Sequence, residues 1–175
     1  MSEQSQSVLN NLVNAILFQL SWFSLVLGFY NGLLGFLFVL LMLLHRLLIC
    51  TQPIREMSLV CLVCVLGITS DALLFKFQVY QTVTGEDFVL VPIWLMGLWL
   101  AFSLTLFGSL KWLVDHGIWF VGLVSVVGPF SYVAGASLGA LQVSSEYVYW
   151  MIIQWCLLGL VITWFLKRIQ KYLKV

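Results

Sequence analysis

Six apolar stretches, each close to the length that crosses a bilayer, follow one another along the chain at residues 8–29, 32–49, 58–75, 92–110, 116–141 and 147–165. A helix needs about 20 apolar residues to cross roughly 30 Å of hydrocarbon. Backbone exposed to lipid must also satisfy its own hydrogen bonds, so helices are the economical solution. The pattern predicts an all-α polytopic membrane protein: a bundle of six transmembrane helices forming one domain over residues 1–175. The punctuation agrees. "YNG" (Tyr30–Gly32) turns the first run into the second, "TQPIRE" introduces Pro53 and two charges, and Pro92 stands where proline suits a helix start. The longest polar connection, "KFQVYQTVTGEDFVLV", alternates and is expected to be extended or hairpin-like.

Composition narrows the function classes. Apolar residues make up 62% and charged residues only 9%, with a mean hydropathy of +1.07, whereas a soluble domain carries about a quarter charged residues to face water. A net charge of +1 and a pI near 7.7 give no basic field for nucleic acid. Eight Trp and six Tyr suit bilayer interfaces. "MSEQSQS" supplies Glu3 and no Lys or Arg before the first run, so that run is expected to stay as a span rather than leave as a signal peptide.

An even number of spans puts both termini on one side. With the termini cytoplasmic, Arg46, Arg55, Lys111, Lys167, Arg168, Lys171 and Lys174 lie inside and only Lys76 outside, as positive-inside sorting requires. The expected location is therefore the plasma membrane, with membrane lipids as partners. Packing should rest on small residues that let backbones approach: Asn10, Asn14, Ser21, Ser24 and Gly28 on the first helix, Gly97, Ala101 and Gly108 on the fourth, and Gly128, Ser131, Gly135 and Gly139 on the fifth. Pro129 is expected to bend the fifth helix.

Asp71, in "GITSDALLFKF", is the residue that this frame does not explain. It lies about five residues, or roughly 8 Å, inside the outer end of the third span. An ionised carboxylate there costs about 3 kcal/mol even on lenient insertion scales, so it needs a partner or water. Lys76 could reach back or snorkel outward; Ser24, Tyr132 and Ser137 could offer hydroxyls from similar depths. Gln19 sits mid-span on the first helix, opposite the asparagine stripe. Glu146 and Gln154 share a face of the sixth helix and could extend a polar layer around Asp71. We read Asp71, Gln19, Ser24, Tyr132, Ser137 and Gln154 as candidate ligand-binding residues, against the plain alternative of a helix-end acid bonded to structural hydroxyls.

Catalytic signals are weak. His45 and His116 fall at cytoplasmic ends and do not make a facing pair of haem ligands; Asp115 and His116, adjacent on a helix, point about 100° apart. Cys61 and Cys64 have redox-motif spacing without the strand-to-helix setting of a redox centre. Cys50 and Cys156 add no metal spacing, and Walker, nucleophile-elbow and HExxH patterns are absent. No catalytic residue, metal ligand or cofactor is assigned.

"VPIWLMGLWLAFSLTLFGSLKWL", "GPFSYVAGASLGAL", "FQLSWF" and "GITSDALL" resemble a family of small bacterial inner-membrane proteins known only as a domain of unknown function. By that resemblance Asp71, Pro92, Trp94, Trp99, Ser109, Trp112, Gly128, Pro129, Tyr132, Ala134, Gly135, Leu138 and Gly139 fall on pattern positions. The family pattern has an Asn-His pair where this chain has Phe107 and Gly108, a departure that weighs against catalysis. Genes of the family often neighbour cyclopropane-fatty-acid-synthase-like genes, which implies a role in envelope lipid metabolism. Three readings stay open: binding or moving a small or lipidic ligand around Asp71 in the periplasmic half; an accessory or scaffold protein docking a lipid-modifying enzyme through "FLKRIQKYLKV"; and a membrane enzyme, the least favoured.

Overall fold

A computed structural model describes residues 2–28, 32–83, 91–143 and 145–172, with backbone only at 145 and 169–172. Seven α-helices follow in order: α1 (Glu3–Leu27), α2 (Leu33–Ile49), α3 (Pro53–Lys76), α4 (Ile93–Thr105), α5 (Lys111–Asp115), α6 (Ile118–Ser137) and α7 (Val148–Tyr172). Two three-residue strands, β1 (Tyr80–Thr82) and β2 (Leu141–Val143), and one turn of 3₁₀ helix at Ser145–Tyr147 complete the described chain. Among the described residues four helices are long and apolar enough to cross a membrane: Glu3–Leu27, Pro53–Lys76, Ile118–Ser137 and the Val148–Arg168 part of α7. Leu33–Ile49 and Ile93–Thr105 are apolar but shorter, at 1.5 Å per residue about 26 and 20 Å long.

The chain divides into two compact units. The first comprises Met1–Val65 and Pro92–Lys111. Within it, α1 packs on α2 and α4, and the approach is set by glycines: a methyl group at Gly35 would overlap Leu25, and one at Gly97 would come within 2.8 Å of Phe36. Asn14 and Ser21 of the small-residue stripe are buried, as are Gly97 and Ala101, so lipid-like cohesion by close backbone approach holds this unit. Arg46 of α2 pairs with Glu56 through both Nε and Nη2. That pair pins the α2–α3 turn, and α3 accordingly starts at Pro53, with both charges inside its first turns rather than in a preceding loop.

The second unit comprises Leu66–Val91 and Trp112–Val175. Here α6 and α7 run antiparallel: Gly117 meets Thr163 and Lys167, Val121 and Val124 meet Gly159, and Gly128 lies under the Trp155 ring. Phe120, Met151 and Ile162 are fully enclosed between them.

Other element boundaries also differ from the sequence reading: α1 starts at Glu3 rather than Val8, and α7 runs to Tyr172 rather than Phe165. The fourth run stops at Thr105 rather than Leu110, because the carbonyl of Thr105 takes the N–H groups of Gly108 and Leu110 and the Asn14 side chain takes that of Ser109. The fifth stops at Ser137 rather than Leu141. Gly139 adopts φ +83°, a left-handed conformation that glycine enters freely, and the chain leaves the helix as strand β2. The connection after Lys76 is extended at Tyr80–Thr82, but its partner is not local: β1 pairs antiparallel with β2, Tyr80 opposite Val143 and Thr82 opposite Leu141. The remainder of that connection, residues 84–90, lies outside the described residues, as does Phe29 of the first run.

Candidate functional site

Asp71 is completely buried on α3. Its carboxylate is met from two helices of the same unit. The Tyr132 hydroxyl of α6 lies 2.8 Å from Oδ1 and 2.6 Å from Oδ2, donating between the two oxygens. The Gln154 side chain of α7 donates from Nε2 to Oδ1 at 2.8 Å. Tyr80, delivered by strand β1, donates its hydroxyl to the main-chain carbonyl of Asp71 at 3.2 Å. The β1–β2 pair thus has a positional role, since it holds a phenol over the acid-bearing turn of α3.

Aromatic rings wall the cluster. Tyr80 and Tyr132 lie 5.4 Å apart between centroids, Phe75 lies 5.9 Å from Tyr80, and the Trp155 ring meets Tyr132 edge-on at 6.4 Å. These are ordinary distances for tilted and edge-to-face aromatic pairs. They exclude bulk water from the acid, so each hydrogen bond to it acts in a low effective dielectric. Burial first, and the Asp71 carboxylate second, push the Tyr80 phenol well above its usual range, so Tyr80 stays a donor at neutral pH. One demand in the cluster is unmet among the described residues: Oε1 of Gln154 is buried without a hydrogen-bond partner. The cluster thus joins a carboxylate that already accepts from Tyr132 and Gln154 to the buried amide oxygen of Gln154.

Of the residues proposed from sequence, Tyr132 and Gln154 are brought to Asp71. Ser137 is not: it is exposed and gives its hydroxyl to the Val133 carbonyl at 2.9 Å. Gln19 is exposed on α1 and Ser24 is half-buried there, both in the first unit. Lys76 is exposed at the last turn of α3, and Glu146 is exposed in the 3₁₀ turn. Tyr80 and Trp155 were missed. The alternation around "FQVYQTV" marked a strand, but nothing local said which strand it would join.

A second polar contact lies in the first unit. Asn14 Oδ1 accepts from the backbone N–H of Ser109 at 3.0 Å and from its hydroxyl at 2.8 Å. Gly108 is pressed so close that a methyl group there would meet the Asn14 amide at 2.5 Å. This contact caps the break between α4 and α5. Among the described residues no group of three or more His, Cys, Asp and Glu gathers in a way that could hold a metal ion, and all four cysteines are free thiols.

The model of a family of proteins of unknown function, DUF2878, matches residues 11–164. No curated protein and no solved structure matches the chain. The match covers most of the chain, and the chain belongs to this family.

Proposed function

We propose that this DUF2878 protein binds or moves a small or lipidic ligand at the polar layer formed by Asp71, Tyr80, Tyr132 and Gln154. On this reading it is a six-span protein of the bacterial inner membrane with both termini cytoplasmic. The two short apolar helices act as spans alongside the four long ones, and α4 is completed by the turn at 106–110 and α5. Broken helices at membrane depth are tolerated where protein satisfies the freed backbone, as Asn14 does for Ser109. The observation that carries the reading is the buried acid, held by donors from two further helices, next to a buried amide oxygen with no partner of its own. An intramembrane ionisable group is by default a candidate for a ligand or ion site. The ligand class follows from the unmet demand: a molecule presenting a hydroxyl, an amine or a proton. Gln19, Ser24 and Ser137 are peripheral on this reading.

The experiment is native mass spectrometry and lipidomics of the gently purified protein beside Asp71→Asn and Gln154→Leu. We expect a co-purifying species with the wild type that both variants lose while staying folded. A species that both folded variants retain would reject the site.

The full set of same-chain donors on the carboxylate favours a second reading, in which the cluster fastens α3, α6 and α7 of a non-catalytic accessory protein for an envelope lipid-modifying enzyme. Pull-down from native membranes separates the two: a stoichiometric enzyme partner that survives Asp71→Asn supports the accessory role.

A further inference from the structure

The antiparallel α6–α7 pair ends in two chemically different rims. At the Asp71 end, Tyr147, Tyr149 and Trp150 are exposed, and so, among the described residues, are Glu146 and Lys76. At the other end, where α6 begins and α7 runs out, three tryptophans are exposed: Trp112 (62%), Trp119 (71%) and Trp164 (54%). Lys167 and Arg168 are exposed among them, and Lys111 and Asp115 are exposed on α5 together with Trp112. These groups are held together by contacts between elements as well as by proximity in sequence. Arg168 lies over the Trp164 ring at 5.2 Å. Gly117 has φ +46°, and a methyl group there would meet Lys167 Nζ at 2.5 Å and Thr163 Cγ2 at 3.3 Å, so the ammonium is drawn back onto the α5–α6 turn. His116 is locked by its Nδ1, 2.6 Å from the Trp112 carbonyl, with its ring against the Trp112 indole at 6.2 Å.

Tryptophan rings seek the headgroup depth of a bilayer, and Lys and Arg beside them direct their charges to lipid phosphates. We infer that this rim is a binding site for the headgroup of an anionic phospholipid, its phosphate taken by Lys167 and Arg168 and its glycerol region flanked by Trp119 and Trp164. The charge of the rim selects the lipid. A zwitterionic headgroup brings its own cation to its phosphate, whereas an anionic one leaves a net charge for the two side chains. Each basic side chain at a membrane surface contributes enough to change occupancy about fivefold, so the pair together gives roughly 10- to 30-fold. The inference is independent of the Asp71 reading, since none of its residues belongs to that cluster.

The test uses the full chain in nanodiscs of phosphatidylcholine containing a minor fraction of phosphatidylglycerol, with retained lipid counted by native mass spectrometry. Wild type should retain phosphatidylglycerol preferentially, and the Lys167→Gln/Arg168→Gln variant should lose that preference by roughly 10- to 30-fold. Lys167→Arg should keep it. Lys76→Gln, which removes a cation at the Asp71 end of the same unit, should change it less than about twofold. Far-UV circular dichroism of each variant establishes that the fold is intact. Two outcomes overturn the proposal: a wild type without lipid preference, or a Lys76→Gln loss equal to that of the double variant, which would mean a diffuse cationic field and no site.

Discussion

Removing one hydroxyl from Tyr132 tests whether the buried acid is held by charge-assisted hydrogen bonds. Tyr132→Phe deletes the donor shared by Oδ1 at 2.8 Å and Oδ2 at 2.6 Å. The ring itself stays, so the contacts to Tyr80 at 5.4 Å and Trp155 at 6.4 Å persist and no cavity opens. A hydrogen bond to a charged group contributes about 1.5–3 kcal/mol, and one proton shared by two oxygens counts once. We therefore expect a loss of about 2 kcal/mol. For a chain of this size that corresponds to a fall of roughly 4–8 °C in Tm. Neutral polar contacts between membrane helices average only about 0.6 kcal/mol in double-mutant cycles, and the gap between the two figures makes the test decisive. The cycle pairs Tyr132→Phe with Asp71→Asn, which keeps an acceptor oxygen while removing the charge. Reversible denaturant unfolding in detergent micelles, followed by far-UV circular dichroism, should give a coupling above about 1 kcal/mol. A coupling at or below roughly 0.6 kcal/mol would reduce the pair to an ordinary interhelical polar contact and refute the charge argument.

Gly128→Ala should destabilise by about 1–3 kcal/mol, because its methyl group would overlap the Trp155 ring and a packed interior resists added volume. Gly122→Ala, on the same helix with nothing within 4 Å of the new atom, should be neutral or stabilise by roughly 0.5 kcal/mol, and paired thermal melts compare them. Stability should also decline in alkali. The folded state holds the Tyr80 proton that an unfolded chain releases near pH ~10, so this contribution is complete below that pH and is lost as pH rises from there toward the higher folded-state value. Tyr80→Phe should flatten that part of the decline in a series of melts against pH; an unchanged slope would contradict the burial of the phenol beside the acid.

The existence of the apolar helices was readable because hydropathy summed over some twenty residues is a strong signal. Their ends were not, because they depend on distant partners. Thr105 ends α4 with help from Asn14, 95 residues from the Ser109 it caps. Asn14 was assigned correctly to an inward face, yet nothing near it in sequence names its partner. Tyr80 shares the difficulty, since its strand pairs with β2, some sixty residues on. Pairing across such separations is a property of the packed chain and leaves little trace in a local window.

The same physics explains which candidates reached Asp71 and which did not. Ser21, Ser103, Ser125 and Ser137 all give their hydroxyls to the carbonyl four residues earlier on their own helices. A short side chain at membrane depth satisfies itself this way and has no proton left for a neighbour. Tyrosine and glutamine cannot fold back onto that carbonyl so easily, because the rigid ring or the longer stem carries the polar group away from the helix. Their polar ends must find a partner on another element. Tyr132 and Gln154 therefore converge on the acid while Ser137, on the same helix as Tyr132, does not. In an apolar chain, large amphipathic side chains at inward positions are accordingly better guides to a buried charge than hydroxyls of the right depth. By this criterion Oε1 of Gln154, buried without a hydrogen-bond partner among the described residues, is the atom at which a ligand's donor should be sought.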